Sequence, residues 1–170
     1  MELNFEVTGG HLFTPKIYKN GKPIAYAKLI VESQSKTKKI FNKIANYSFF
    51  KGNKYYKLFT LDNKILGKVT YGNPYKKEPN ILKFKEEKII ILPFNPLKLW
   101  GLKTHFFYKN KKYDIRLKGL IFSHLEIFNK NKKVGMIKEG LTNTTIKLDR
   151  QLETIGPLLA IYALQYRSLW

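Results

Sequence analysis

The stretch Ile155-Gly156-Pro157-Leu158-Leu159-Ala160-Ile161-Tyr162-Ala163-Leu164 decides the fold. Gly156-Pro157 is a helix start, with proline in the first turn where its missing N–H and fixed φ cost nothing. Leu158 to Tyr166 then reads as helix, and its apolar side chains cover every side, leaving no solvent face for about two turns. The run is about half of the roughly 20 residues that span a bilayer, which makes it a core helix and not a membrane anchor. A helix apolar all round must be surrounded. With little else helical in the chain, the natural enclosure is a curved sheet or barrel wrapped about it.

Immediately upstream, Thr144, Ile146 and Leu148 alternate as a last strand. Before that, one unit recurs: an apolar run, a turn containing Asn with flanking Lys, and a second apolar run. Its first copy, Ile17 to Tyr26, turns at Asn20-Gly21, the strongest short-range hairpin signal because both positions tolerate positive φ. The others are Lys57 to Val69 around Asp62-Asn63, His105 to Leu117 around Lys109-Asn110, and Leu125 to Ile137 around Asn129-Lys130-Asn131. Within the third, Tyr113, Ile115 and Leu117 share one strand face and Asp114 and Arg116 the other, the period of a half-buried strand.

Four hairpins predict an all-β domain, with residues 1–170 as a single unit. Pro74, Pro79, Pro93 and Pro96 punctuate the middle, where Ile89 to Leu92 reads as one more short strand. Pattern leaves the conformations of 33–53 and 72–100 otherwise open. Ile40, Phe41, Ile44 and Ala45 have helical spacing against Lys36, Lys38, Lys39 and Lys43, as in a basic amphipathic helix, but a strand-loop-strand or a short packing helix is the stronger reading of 35–47.

With 170 residues, 44% of them hydrophobic and 15% aromatic, the chain can bury one sizeable core and is not a disordered sequence. The absence of cysteine excludes a disulfide framework, a thiolate zinc site and a cysteine nucleophile, and suits a reducing compartment. Met1-Glu2-Leu3-Asn4-Phe5-Glu6 has neither a basic n-region nor an apolar h-region, so no secretory signal is expected. The expectation is a cytoplasmic monomer, peripheral to a membrane at most.

The net charge of +20 implies attraction to polyanions. Only Arg116, Arg150 and Arg167 are arginines, so 29 of the 32 basic residues are lysines, the profile of an AT-rich genome. That bias would favour glutamate equally, yet there are only 12 acidic residues, so part of the excess has another cause. Lysines suit diffuse electrostatic contact better than the bidentate recognition for which arginine is built.

The succession of Asn- or Asp-turned hairpins, a last strand ending at Asp149 and then an apolar helix resembles the tubby C-terminal-like superfamily, which includes tubby, the phospholipid scramblases and the plant LURP-one-related proteins with their small bacterial relatives. The resemblance is strongest over Phe107 to Arg167, with support from Leu12 to Tyr26 and Tyr56 to Tyr71, and the insert at Ser33 to Asn53 departs from it. It implies a closed antiparallel barrel of about twelve strands around a central hydrophobic helix. It also implies a non-enzymatic binding or regulatory role at lipid, since tubby recognises phosphoinositide head groups through basic residues. Those residues do not map onto numbered positions here, and fold alone does not transfer function.

Little in the chain suggests chemistry. His11, His105 and His124 lack chelating spacing, so no metal is expected. His124 and Glu126 share a strand face as an acid-base pair would, although an ordinary structural pair is the stronger reading. Asp62 and Asp114 sit at or near hairpin turns, where Asp stabilises the local backbone or stays solvated, and Glu86-Glu87 lies in a charged surface run. No nucleophile elbow, phosphate loop or dinucleotide fingerprint is present, so no catalytic residue and no cofactor is expected, and the chain does not read as an enzyme.

The turns carry the sharper expectation. If the hairpins follow an up-and-down path, their tips share one end of the barrel, bringing together Lys19, Lys22, Lys64, Lys109, Lys111, Lys112, Lys130, Lys132 and Lys133. The same parity brings the helix in at that end with its positive N-terminus outward, reinforcing an anion-binding surface. The bland counterpart is that turn lysines are merely solvated and discourage aggregation.

Three functions follow. The leading one is a module contacting an anionic surface such as the inner membrane face. The second is a nucleic-acid binder with Tyr55, Tyr56, Phe106, Phe107 and Tyr108 as stacking positions, although neighbouring strand residues point to opposite faces and at least half of these should face inward. The third is a protein-partner module with incidental charge.

Overall fold

A computed structural model describes residues 2–9, 14–31, 54–73, 76–94, 102–118, 124–140 and 143–164. Twelve strands run in chain order as β1 (Glu2–Thr8), β2 (Lys16–Lys19), β3 (Lys22–Val31), β4 (Lys54–Thr60), β5 (Ile65–Thr70), β6 (Asn80–Phe84), β7 (Glu87–Ile91), β8 (Lys103–Tyr108), β9 (Lys111–Lys118), β10 (His124–Asn129), β11 (Lys132–Glu139) and β12 (Asn143–Asp149). A 3-10 helix, Arg150–Ile155, and α1, Gly156–Ala163, follow. The expectations for 35–47 and for the end of the helix beyond Leu164 lie outside the described residues.

All strands join one antiparallel sheet in the order β7-β6-β5-β4-β3-β2-β1-β12-β11-β10-β9-β8. The first and last strands pair over seven positions, from Glu2 with Asp149 to Thr8 with Asn143. The sheet's two ends, β7 and β8, lie side by side without a ladder. The barrel is therefore nearly closed, with one seam, where full closure was expected. Both edge strands are short, five and six residues, and present the exposed lysines Lys88 and Lys103, which is how native sheets keep an unpaired edge from recruiting another chain. Among the described residues, Thr104 Oγ1 donates to the Leu92 carbonyl at 2.7 Å across the gap.

The four expected hairpins form. Asn20 and Gly21 both take positive φ, 49° and 77°, as the two-residue turn between β2 and β3 requires. A fifth hairpin, β6 to β7, turns at Lys85-Glu86 with Lys85 at φ 52°. The strand expected at Ile89 to Leu92 is its second arm, and its first arm went unread because neither Asn nor Gly marks the turn.

Alternation decides what faces inward. Leu3, Phe5 and Val7 of β1 are buried together with Thr144, Ile146 and Leu148 of β12. Leu158 to Leu164 are buried on all sides, with α1 touching β5 and β6 on one flank and β1, β11 and β12 on the other. Two glycines let the helix approach closely. A Cβ on Gly67 would lie 2.5 Å from the Lys83 carbonyl oxygen and 3.0 Å from Leu158 Cδ2, and one on Gly156 would lie 2.6 Å from Phe5 Cζ. At the far end of the helix the Tyr71 hydroxyl donates to the Ile161 carbonyl at 2.5 Å. Burial holds that hydroxyl's pKa well above its ordinary value, so it stays a neutral donor.

Candidate functional site

Because consecutive strands alternate in direction, all five hairpin turns emerge at one end of the barrel, together with the junction from β12 into the 3-10 helix. Lys22, Lys64, Lys109, Lys111, Lys112, Lys130 and Lys132 are exposed at or beside these tips. Lys85, which the turn signals did not reveal, joins them. In three of the five tips a lysine itself occupies the left-handed backbone region: Lys85 at φ 52°, Lys109 at 48° and Lys130 at 56°. Glycine and asparagine are the residues that ordinarily accept that conformation.

The tip lysines are not equivalent. Lys19 pairs with Glu153 of the 3-10 helix, Lys132 Nζ lies 4.0 Å from Asp149 Oδ2, and Lys112 Nζ lies 3.6 Å from Asp114 Oδ1. Lys133 is on the outer wall, 2.6 Å from Glu126 Oε1. Among the described residues Lys22, Lys64, Lys111 and Lys130 have no carboxylate partner, and Lys109 Nζ stands 5.3 Å from the Tyr108 ring centroid. Sequence parity brought these side chains to one end, but only tertiary neighbours decide which charges are neutralised.

The helix enters at the hairpin end, as parity requires, but it does not present its N-terminus to solvent. The 3-10 helix covers it. Leu152 and Ile155 of that cover are buried, Gly156 is buried against Phe5, and Asp149 accepts from the Arg150 N–H at 3.1 Å. The cover is pinned by Lys19 to Glu153 and by the Tyr113 hydroxyl to Gln151 Oε1 at 3.3 Å. The start of α1 is therefore buried, and the segment that reaches the hairpin end is the 3-10 helix, with Asp149 at its first N–H.

Four of the five aromatics weighed as stacking positions are covered. Tyr56 and Phe106 are fully buried, Tyr55 and Tyr108 nearly so, and Lys68 Nζ sits 3.5 Å from the Tyr55 ring centroid. Phe107 alone is exposed, edge-on to His105 at 5.6 Å. Strand alternation turned Tyr56, Phe106 and Tyr108 inward, while Tyr55, on the other face from Tyr56, is covered by Lys68.

His124 Nε2 and Glu126 Oε1 are 3.9 Å apart, and the carboxylate is held by the Lys133 ammonium. That hydrogen bond lowers the pKa of Glu126, with the charges of Lys133, His124 and Lys118 adding to the effect against desolvation. A carboxylate so stabilised in its ionised form is a weak proton acceptor, which favours the structural reading of this pair. A groove of about 380 Å³ on the outer wall over β1, β11 and β12 is lined by Lys138, Lys147, Thr145 and Glu6, and the Glu6 carboxylate accepts from Asn143 at 2.7 Å. Among the described residues no three His, Asp or Glu side chains converge, and no helix is long and apolar enough to cross a membrane.

Comparison with known proteins found no matching family model, no matching curated protein and no matching solved structure.

Proposed function

We propose that the chain is a non-enzymatic, tubby-like binding module that docks on anionic phospholipid through its hairpin end. The observation that carries the reading is the backbone at the tips. Placing lysine in the left-handed region at Lys85, Lys109 and Lys130 costs on the order of 1 kcal/mol at each, and three such positions meet at the hairpin end against one, Lys77 at φ 56°, at the other end. Strain of this kind, repeated where side chains converge on one end, is what a functional surface retains. The neighbouring unpaired Lys22, Lys64 and Lys111 extend the same potential. The twelve-stranded arrangement around a C-terminal helix supports the likeness to tubby-type barrels, in which a central apolar helix is enclosed.

The test separates binding from folding. Asparagine tolerates positive φ, so K85N, K109N and K130N together should leave thermal stability unchanged or slightly raised. At about 1 kcal/mol per lysine near an anionic surface, the triple variant should bind phosphatidylserine-rich vesicles roughly two orders of magnitude more weakly. A charge-matched control on the wall, K83N, K88N and K103N, should bind nearly as wild type. Equal losses in both variants would reduce the hairpin end to generic charge. Retained binding to nucleic acid with none to vesicles would favour the second reading, and binding to neither would favour a partner protein.

A further inference from the structure

We infer that the β4–β5 hairpin is an insertion finger, whose Leu61 and Ile65 enter the acyl boundary of an anionic bilayer while the surrounding lysines engage the head groups. The inference rests on the lipid-docking reading and adds the element that penetrates.

Leu61 is 56% exposed and Ile65 67%, and they flank the turn on either side of Asp62, Asn63 and Lys64. Isolated exposed aliphatics are ordinary on a protein surface. These two differ because the turn that holds them is rigidly built. The Thr60 N–H donates to the Lys64 carbonyl at 2.8 Å, the Asn63 N–H to the Thr60 carbonyl at 3.1 Å, and the Lys64 N–H to Thr60 Oγ1 at 3.0 Å. Asn63 takes φ 62°, and its side-chain carbonyl accepts from the Tyr26 hydroxyl, tying the tip to β3. Tyr26 stacks on Phe59 at 5.3 Å, so the finger's base is braced as well. The tip therefore cannot readily fold its two aliphatic side chains back onto the wall.

The charge around the finger selects its partner. Lys64 lies between the two aliphatics in sequence, Lys22 is on the adjacent hairpin because β3 pairs with β4, and both are exposed without a carboxylate partner. A polyanion such as nucleic acid would satisfy the lysines and leave Leu61 and Ile65 in water. An anionic bilayer satisfies both, with head groups for the ammonium groups and hydrocarbon for the aliphatic side chains.

The chain lacks cysteine, so single cysteines carrying an environment-sensitive fluorophore report position without background. Labels at Leu61→Cys and Ile65→Cys should shift to the blue on phosphatidylserine-rich vesicles and be quenched by lipids bearing a quencher in the acyl region. A label at Leu92→Cys, beyond the end of β7 and roughly 20 Å along the strand from its tip, should not respond. L61S with I65S should weaken vesicle binding by about tenfold or more with thermal stability unchanged, since neither side chain is in the core. Vesicle binding with both labels left in water would overturn the finger and leave lipid docking standing. Absence of vesicle binding would overturn both, as would a blue shift produced by nucleic acid instead of vesicles.

Discussion

The two joins that complete the barrel are built on different principles. β1 and β12 meet through a seven-position ladder, and both lie against α1, so backbone pairing and core packing act together. β7 and β8 meet without a ladder, and the described bond between them is that of Thr104 to Leu92. The first join couples the beginning of the chain to its end over a helix that would otherwise be exposed. The second closes by proximity, held by what fills the interior. The contrast predicts that stability is concentrated on the helix side and that local opening starts at the seam.

The largest effect should come from the helix itself. Leu159 has no exposure, and Leu159→Asp would bury a carboxylate with no cation beside it, a penalty of at least several kcal/mol against a total stability of about 5–15. The expected outcome is loss of the cooperative transition in circular dichroism and recovery only from the insoluble fraction. A soluble variant that unfolds cooperatively near the wild-type temperature would place Leu159 outside the core and break the comparison at its root. Phe5→Ala should come next, at about 3–5 kcal/mol in chemical denaturation, because the Phe5 ring is 2% exposed and lies within a Cβ's reach of Gly156, where it seals β1 to the start of α1.

The helix side of this contrast is legible in the sequence and the seam is not. Thr144, Ile146 and Leu148 announce β12 by alternation, Gly156-Pro157 announces the helix start, and Asn20-Gly21 announces its turn, because each is a local preference of backbone or period. Leu3, Phe5 and Val7 alternate just as plainly, so β1 was readable too. The β6–β7 hairpin was hidden because Lys85 takes a conformation that lysine rarely adopts. An absent ladder leaves no mark on the residues that lack it. The site divides in the same way. Lysines at turns are visible, but the pairing of Lys19 with Glu153, 134 positions away, and the 3-10 cover over the helix N-terminus are tertiary facts. They set which charged groups stay unpaired at this end and bury the start of α1.

The smallest and most discriminating prediction lies at the seam. Thr104 is 7% exposed, and Thr104→Val keeps its shape while removing the hydroxyl that donates to Leu92. Global stability should fall by only about 1 kcal/mol, the net worth of one such bond, with Leu92 half exposed and water within reach of its carbonyl. Hydrogen exchange should respond more sharply than the denaturation curve: amides of β7 and β8 should lose protection while those of β1 and β12 keep theirs. That pattern would mark the seam as a unit that opens on its own. Uniform loss of protection across all four strands would mean that the two joins open together, and that the interior couples them more tightly than their hydrogen bonds suggest.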